Sequence, residues 1–236
     1  MNQRLLLGIC VVAVAAVGGF AAQRMLADRP TVTPLNAPAV VADANSAPTV
    51  TPDNSAEAPP SHVIPETVPA ITLTDRHGAT RTLTDWKGRP VIINFWATWC
   101  GPCRDEIPLL KALRNERASD RLEIVGVAID ERDAVLKYAS DIGMDYPILI
   151  GEKEGYAAAE AFGVSLVLPF SVFADRKGRI VTLKVGELHA DEAAFILDRV
   201  RDIDSNRIDL PAARRQITDK MRDLAVERGK KASQSG

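Results

Sequence analysis

A pair of cysteines two residues apart is the feature of this sequence with the clearest chemistry. Cys100 and Cys103 enclose Gly101-Pro102 and come soon after the apolar run Val91–Trp96. Such a pair at the start of a helix suits thiol–disulfide exchange, because unpaired N–H groups and the helix dipole lower a thiol pKa from about 8.5 to roughly 3.5–7.5. The spacing therefore predicts that Cys100 attacks a substrate disulfide. Cys103, one turn further along and less exposed, is predicted to resolve the mixed disulfide.

Metal binding is the main alternative use of a Cys-x-x-Cys pair. Structural zinc needs four ligands, but the remaining candidates, Cys10, His62, His77 and His189, are scattered along the chain. We interpret His77 as a turn residue and Cys10 as an apolar membrane residue. Soft thiolates also select Cu(I), so a copper carrier remains an alternative. Copper carriers of the Sco type, however, have three residues between their cysteines, whereas two intervene here. We expect no resident metal or cofactor.

The composition is that of one ordinary globular domain with appendages. The chain has 236 residues, of which 46% are hydrophobic and 25% are charged, and its formal net charge is −2. Because it has neither a basic surplus nor a basic-aromatic patch, the sequence does not predict nucleic-acid binding. With only three cysteines, two of them in the motif, it is not a disulfide-framework protein.

Residues 1–26 have the pattern of a signal anchor or a secretory signal peptide. Leu5–Ala22 is a stretch of 18 residues without a charge, which as a helix would span about 27 Å, the lower end of what crosses a bilayer. Gly19-Phe20-Ala21 also offers small residues at the spacing that a signal peptidase prefers. Both interpretations place the rest of the chain outside the cytoplasm.

Residues 27–66 hold eight prolines among Ala, Thr, Asp and Asn, with almost no aromatic residues. A segment of this composition cannot bury enough surface to fold, so we predict a linker. Residues 67–204 are predicted to form the folded domain, and residues 205–236 a C-terminal helix and tail.

The folded part alternates strand and helix signals, which predicts an α/β domain with a mixed sheet. The first two predicted strands form a β-hairpin, and Pro108 is predicted to kink the first helix. The predicted strands are Ala70–Thr74, Ala79–Leu83, Val91–Trp96, Leu122–Ile129, Phe170–Ala174 and Arg179–Lys184. The predicted helices are Gly101–Ala118, Glu131–Ile142, Gly155–Phe162 and Asp191–Ile203. Beyond them, Leu210 to Leu224 shows helical spacing, and Arg228–Gly236 is predicted to be a disordered tail.

Further stretches accompany the cysteine pair, namely Asp85-Trp86-Lys87-Gly88-Arg89-Pro90, Asn94-Phe95-Trp96-Ala97-Thr98-Trp99, Glu106 with Pro108, and Leu168-Pro169. Together with the cysteines, they resemble the membrane-anchored thioredoxin-like oxidoreductases of the TlpA/ResA family over about residues 69–203. The resemblance implies a thioredoxin fold, in which a central mixed sheet is flanked by helices, with an N-terminal β-hairpin. It also implies that Glu131–Ile142 is the family's insertion, while the C-terminal helix is an extension of this chain.

The resemblance also implies roles for residues around the cysteines. Pro169 would be a cis proline packed against the disulfide, and the backbone of Leu168 would pair with an extended substrate. The other residues expected to contact substrate are Trp99, Gly101 and Pro102.

Two further polar residues, Glu106 and Asn94, lie near the cysteines in the sequence. Glu106 lies three residues beyond Cys103 and shares its helix face. The resemblance implies that it tunes the thiol pKa and relays protons; the alternative is a solvated carboxylate near a helix N-terminus. Asn94 stands where plain thioredoxins carry a buried Asp. We interpret it as a core amide with satisfied hydrogen bonds.

The Gly-Pro dipeptide is that of reducing thioredoxins, whose potential is about −270 mV, whereas the oxidising DsbA lies near −120 mV. We therefore expect an extracytoplasmic dithiol reductant, anchored to a bacterial inner membrane by one N-terminal span or cleaved and periplasmic. The family implies a DsbD- or CcdA-like membrane electron donor. It implies cysteine-containing protein substrates, either apocytochrome c or the copper-site cysteines of cytochrome oxidase. A disulfide oxidase or isomerase and a non-enzymatic Cu(I) carrier are the alternatives. We expect a monomer.

Overall fold

The computed structural model describes residues 64–165 and 167–234. The predicted signal segment, and the predicted linker up to residue 63, lie outside these ranges. Within them, none of the helices combines the length and the apolar character that a membrane span requires.

The described residues form strands and helices in alternation, after an N-terminal hairpin. The strands are β1 (Thr72–Asp75), β2 (Thr80–Thr82), β3 (Val91–Trp96), β4 (Glu123–Ala128), β5 (Ile148–Ile150), β6 (Phe170–Ala174) and β7 (Ile180–Val185). The helices are α1 (Gly101–Glu116), α2 (Arg132–Asp141), α3 (Glu152–Ala161), α4 (Ala190–Asp204) and α5 (Leu210–Gln234).

The strands make one mixed sheet in the order β2-β1-β5-β4-β3-β6-β7. β3, β4 and β5 run parallel to one another, while β6 runs antiparallel to β3 and β1 runs antiparallel to β5. The mixed α/β sheet predicted from the sequence is therefore present. Strand β3 lies inside it, with β4 on one side and β6 on the other.

All six residues of β3 are buried, because helices cover both faces of the sheet at this strand. Ile92 and Trp96 point to one face, where they join a core with residues of α1, α2, α4 and α5. Ile93 and Phe95 point to the other face and join a core with residues of α3. Burial on both sides explains why the strand is an uninterrupted apolar run except for Asn94.

The predicted bounds agree closely for the central strands, since β3 and β6 have the predicted residues. Strand β5 was not predicted. It has three residues, too few for a hydrophobic period to show, and it is stabilised by pairing with β1 and β4. Helix α3 begins at Glu152, three residues before the predicted start.

The prediction of a disordered tail from Arg228 is wrong for the residues that the structure describes, because α5 continues to Gln234. The helix packs against α4 and β7 and buries Ala213, Ile217 and Leu224. Near its end, Arg228 forms an ion pair with Asp191 at 3.2 Å. These contacts hold in place a polar segment whose composition alone is typical of a disordered tail.

Candidate active site

The turn between β3 and α1 places the two cysteines at the carboxyl end of the central strand. Its conformation is held by the N–H of Thr98, which donates to Oδ2 of the buried Asp130 at 2.8 Å. Cys100 is the N-cap residue of α1, and Pro102 lies in the first turn. Proline is favourable there because a first-turn N–H has no partner within the helix.

Cys100 and Cys103 are joined by a disulfide with their Cα atoms 5.3 Å apart. Cys100 is 7% exposed, whereas Cys103 is fully buried. The N–H of Cys103 donates to Sγ of Cys100 at 3.3 Å. The difference in exposure has the predicted order, and a backbone donor faces the more accessible sulfur.

An apolar pocket lies at Trp99, the residue before Cys100. Trp99 is 64% exposed and, with Leu168, lines a pocket of about 260 Å³. Among the described residues, no charged side chain lines this pocket; its other lining residues are Ile129, Tyr156, Ala159, Val167 and Phe170. A large side chain therefore finds an uncharged surface next to the disulfide.

The peptide bond between Leu168 and Pro169 is cis, as the resemblance implied. Pro169 is buried, and its carbonyl oxygen accepts a hydrogen bond from the N–H of Gly186 at 2.8 Å. The next residue, Phe170, pairs with Phe95 near the end of β3. The cis segment therefore borders the end of the sheet that carries the cysteines.

Glu106 lies one turn beyond Cys103 and is only 2% exposed, so the alternative of a solvated carboxylate does not hold. Its Oε1 accepts from Nδ2 of Asn94 at 2.6 Å, and its Oε2 accepts from the N–H of Leu188 at 2.7 Å. Burial raises the pKa of Glu106 to about 7, although these two hydrogen bonds oppose the rise. The negative charge of Glu187 raises this pKa further, and the positive charge of Lys184 lowers it.

Asn94 links Glu106 to the neighbouring strand. Its Nδ2 donates both to Glu106 and to Oγ of Ser171, at 3.1 Å. Its Oδ1 has no hydrogen-bond partner among the described residues. The interpretation of Asn94 as a fully satisfied core amide is therefore wrong for the oxygen. Its nitrogen holds the carboxylate of Glu106.

The described residues do not include a cluster of three or more His, Cys, Asp or Glu side chains that could hold a metal ion. His77 lies in the turn between β1 and β2, as predicted, and His189 precedes α4. Cys10 and His62 lie outside the described residues.

A larger cleft, of about 510 Å³, lies at the other end of the strands. Several arginines line it, but they make structural contacts. Arg76 donates to the carbonyl oxygen of Met144 at 2.9 Å, and Arg114 pairs with Glu123 at 2.7 Å. We therefore assign the chemistry to the disulfide end of the sheet.

Sequence reasoning missed several groups at the site. Tyr156 was not predicted as part of it, although a lone aromatic in the alanine-rich helix α3 was a usable signal. The N–H of Leu188 left no signal, because a backbone donor is independent of residue type. Asp130 left none either, since only the fold brings it to Thr98.

The fold and the site define a thioredoxin-fold thiol–disulfide oxidoreductase. The chain belongs to the AhpC/TSA family, which it matches over residues 64–183, about half of its length.

Two relatives and one solved structure illustrate this similarity. The chain is 32% identical over 133 residues to the thiol-disulfide oxidoreductase ResA of Bacillus thuringiensis strain Al Hakam, covering 56% of this chain and 75% of the relative. It is 36% identical over 134 residues to the thioredoxin-like protein YneN of Bacillus subtilis, covering 55% and 76%. A solution structure described as a thioredoxin from Neisseria meningitidis is 31% identical with a TM-score of 0.52, covering 59% of this chain and 93% of that chain.

The burial of Glu106 predicts a pH-dependent stability. In the unfolded chain its pKa is about 4.5, and in the folded protein it is about 7, so folding favours the protonated form. This contribution is fully present below pH 4.5 and is lost as the pH rises through 7. Relative to Glu106→Gln, the free energy of unfolding of the oxidised protein should therefore fall by about 3 kcal/mol across this range. Urea unfolding of both proteins at a series of pH values measures it. Parallel stability curves would contradict the prediction.

Proposed function

We propose that this protein is an extracytoplasmic dithiol reductant that reduces disulfides in partner proteins through Cys100 and Cys103. The observation that carries the proposal is the asymmetry of the pair at the start of α1, where Cys100 is 7% exposed and Cys103 is fully buried. This arrangement lets one cysteine meet the partner while the other acts only within the protein.

The exchange proceeds in two steps. The thiolate of Cys100 attacks one sulfur of the partner's disulfide, and the partner's other sulfur leaves as a thiolate. Cys103 then loses its proton and attacks Sγ of Cys100, which releases the partner's second sulfur. The partner gains two electrons and ends as a dithiol, while the protein ends with the Cys100–Cys103 disulfide that the structure contains.

Glu106 is the proposed proton acceptor for Cys103. The sealed thiol has no direct route to bulk water, and Glu106 lies one helical turn away on the same face. General acid–base transfer is most effective for a group whose pKa lies near the operating pH, and the pKa of Glu106 is about 7. The two hydrogen bonds to its oxygens hold the carboxylate in place for this transfer.

The apolar pocket beside Cys100 is the proposed docking site for the partner. A mixed disulfide requires the partner's chain to pass within a few residues of Sγ of Cys100, and the pocket lined by Trp99 and Tyr156 lies there. Its uncharged lining suits an apolar side chain next to the partner's cysteine. Leu168, which precedes the cis proline, is positioned at the same pocket to pair with an extended segment.

The compartment and the partners are also proposals. The apolar segment of residues 1–26 supports a place at the outer face of a bacterial inner membrane, anchored or cleaved. A reductant in an oxidising compartment needs electrons from across the membrane, which supports a DsbD- or CcdA-like donor. The resemblance to ResA-type proteins supports apocytochrome c or cytochrome oxidase copper-site cysteines as substrates.

The direction of electron flow can be measured by redox titration. Because Gly101-Pro102 separates the cysteines, we expect a midpoint near the thioredoxin value of about −270 mV and reduction of insulin by the dithiol. The full chain is equilibrated in glutathione or dithiothreitol buffers and its free thiols are counted. A midpoint of about −120 mV would instead assign the protein to the oxidases or isomerases.

The roles of the two cysteines can be tested by trapping the mixed disulfide. Cys103→Ala should accumulate dithiothreitol-sensitive adducts with partner proteins, because no internal thiol remains to release them. Cys100→Ala is the matched control and should not accumulate them, because its remaining sulfur is sealed. Mass spectrometry of the adducts identifies the substrates. Adducts joined through Cys103, or activity that persists without adducts from either variant, would reverse the assignment.

The docking pocket predicts a preference between substrates. A disulfide peptide with Leu beside the reactive cysteine should be reduced about 10-fold faster than the same peptide with Asp there. Tyr156→Asp should remove most of this preference, whereas Val226→Asp, an exposed apolar residue on α5, should keep it. Both variants should reduce a small aromatic disulfide at the wild-type rate. An unchanged preference in Tyr156→Asp would exclude the pocket as the docking site.

A further inference from the structure

A row of residues crosses the sheet at the level of Glu106. The strand register pairs Gly126 with Asn94, Asn94 with Ser171, and Ser171 with Lys184. Side chains of directly paired residues lie on the same face of a sheet. Lys184 is therefore at the end of the row whose Asn94 holds Glu106, and its side chain is only 21% exposed.

Lys184 is also paired with an acidic residue at the start of α4. Its Nζ lies 3.5 Å from Oε2 of Glu192, a side chain that is 4% exposed. Oε2 also accepts from the N–H of His189 at 3.1 Å. The ammonium group thus pairs with the buried carboxylate of Glu192, and its charge also lowers the pKa of Glu106.

The second oxygen of Glu192 is held by the C-terminal helix. Arg228 of α5 forms an ion pair with Oε1 of Glu192 through one nitrogen, and with Asp191 at 3.2 Å through another. Helix α5 follows residue 183, the end of the segment matched to the family. The extension therefore supplies a cation to the same carboxylate that binds Lys184.

We propose that Arg228, Glu192 and Lys184 form a chain of ion pairs through which the C-terminal helix controls the charge around Glu106. All three act as positioning residues, because none of them touches the reacting sulfurs. The inference rests on the proposed proton exchange at Glu106 and adds a regulatory element to it.

The charged and titratable groups that face Glu106 come from several elements. Lys184 comes from β7, Glu187 from the segment before α4, Cys103 from α1 itself, and Tyr146 from the segment before β5. Of these, Lys184 is the only cation in the set. Its distance from Glu106 therefore adjusts the stability of the carboxylate form, in addition to the larger effects of burial and of the hydrogen bonds from Leu188 and Asn94.

The chain of ion pairs predicts opposite effects for the removal of Arg228 and the removal of Glu192. Arg228→Ala removes a cation and leaves Glu192 free to attract Lys184 more strongly, so the pKa of Glu106 should rise. Glu192→Gln removes an anion and releases Lys184 toward Glu106, so this pKa should fall. We expect shifts of about 0.3–0.5 pH unit, smaller than the effect of a charge in direct contact.

The test follows the carboxyl carbon of Glu106 by NMR as a function of pH, in the oxidised full chain labelled with 13C at its glutamate carboxyl carbons. Glu106→Gln assigns the signal. Arg222→Ala is the matched control, because Arg222 lies on the same helix but pairs with Asp219 at the surface. It should leave the midpoint unchanged. Lys184→Met should raise the midpoint more than Arg228→Ala does.

The opposite signs separate an electrostatic role from a structural one. Arg228→Ala and Glu192→Gln both break the contact between α5 and α4, so a purely structural effect would move the midpoint in the same direction in both. Shifts of the same sign, or no shift in either, would overturn the proposal.

A second measurement separates this inference from the proposed function. The pH profile for release of a peptide from a mixed disulfide at Cys100, the step in which Cys103 attacks, is recorded for the full chain and for Glu106→Gln. Identical profiles would refute proton exchange at Glu106, whatever the NMR midpoints show. Different profiles with NMR midpoints that do not respond to Arg228 or Glu192 would refute only the ion-pair chain.

Discussion

The burial of one carboxylate is the constraint on which the rest of the site depends. Glu106 belongs to α1, and its side chain is buried in the core. An ionised group there is costly unless hydrogen-bond donors compensate it. The amide of Asn94 and the N–H of Leu188 supply the two donors. They are not enough to offset desolvation, so the carboxyl group has a pKa near neutrality. A carboxyl group with this pKa, one turn from the buried Cys103, has the properties that our proposed proton transfer requires.

The same hydrogen bonds connect parts of the fold that are distant in sequence. Asn94 belongs to the central strand, Leu188 to the segment before α4, and Ser171, which also accepts from Asn94, to β6. The segment before α4 is tied in turn to Pro169, through the N–H of Gly186. The carboxylate and the cis proline beside the disulfide are therefore parts of one network. Only a few hydrogen-bonded residues therefore separate Glu106 from the pocket beside Leu168.

The C-terminal helix gives this chain a feature that its match to the family does not cover. Its apolar residues pack on α4 and β7, and its Arg228 binds the acidic start of α4. Burial of Glu192 makes this contact more than a surface ion pair, because two cations share one sealed carboxylate. In our proposal the extension acts on Glu106 through this contact, and Trp99 and Tyr156 stay exposed for the partner.

The cysteine pair and the strands that position it can be predicted from residue types and local periodicity. The cysteine spacing, the buried run of β3 and the proline before β6 depend on residue type and local periodicity, and both strands have their predicted bounds. The burial of Glu106, its hydrogen bond from Asn94, the strand β5 and the helical end of α5 could not be predicted in this way. These features arise from contacts between distant segments: a backbone donor at Leu188, a strand partner for β5 and an acidic partner for Arg228. No local pattern encodes such contacts, because each partner becomes a neighbour only when the sheet and helices have assembled.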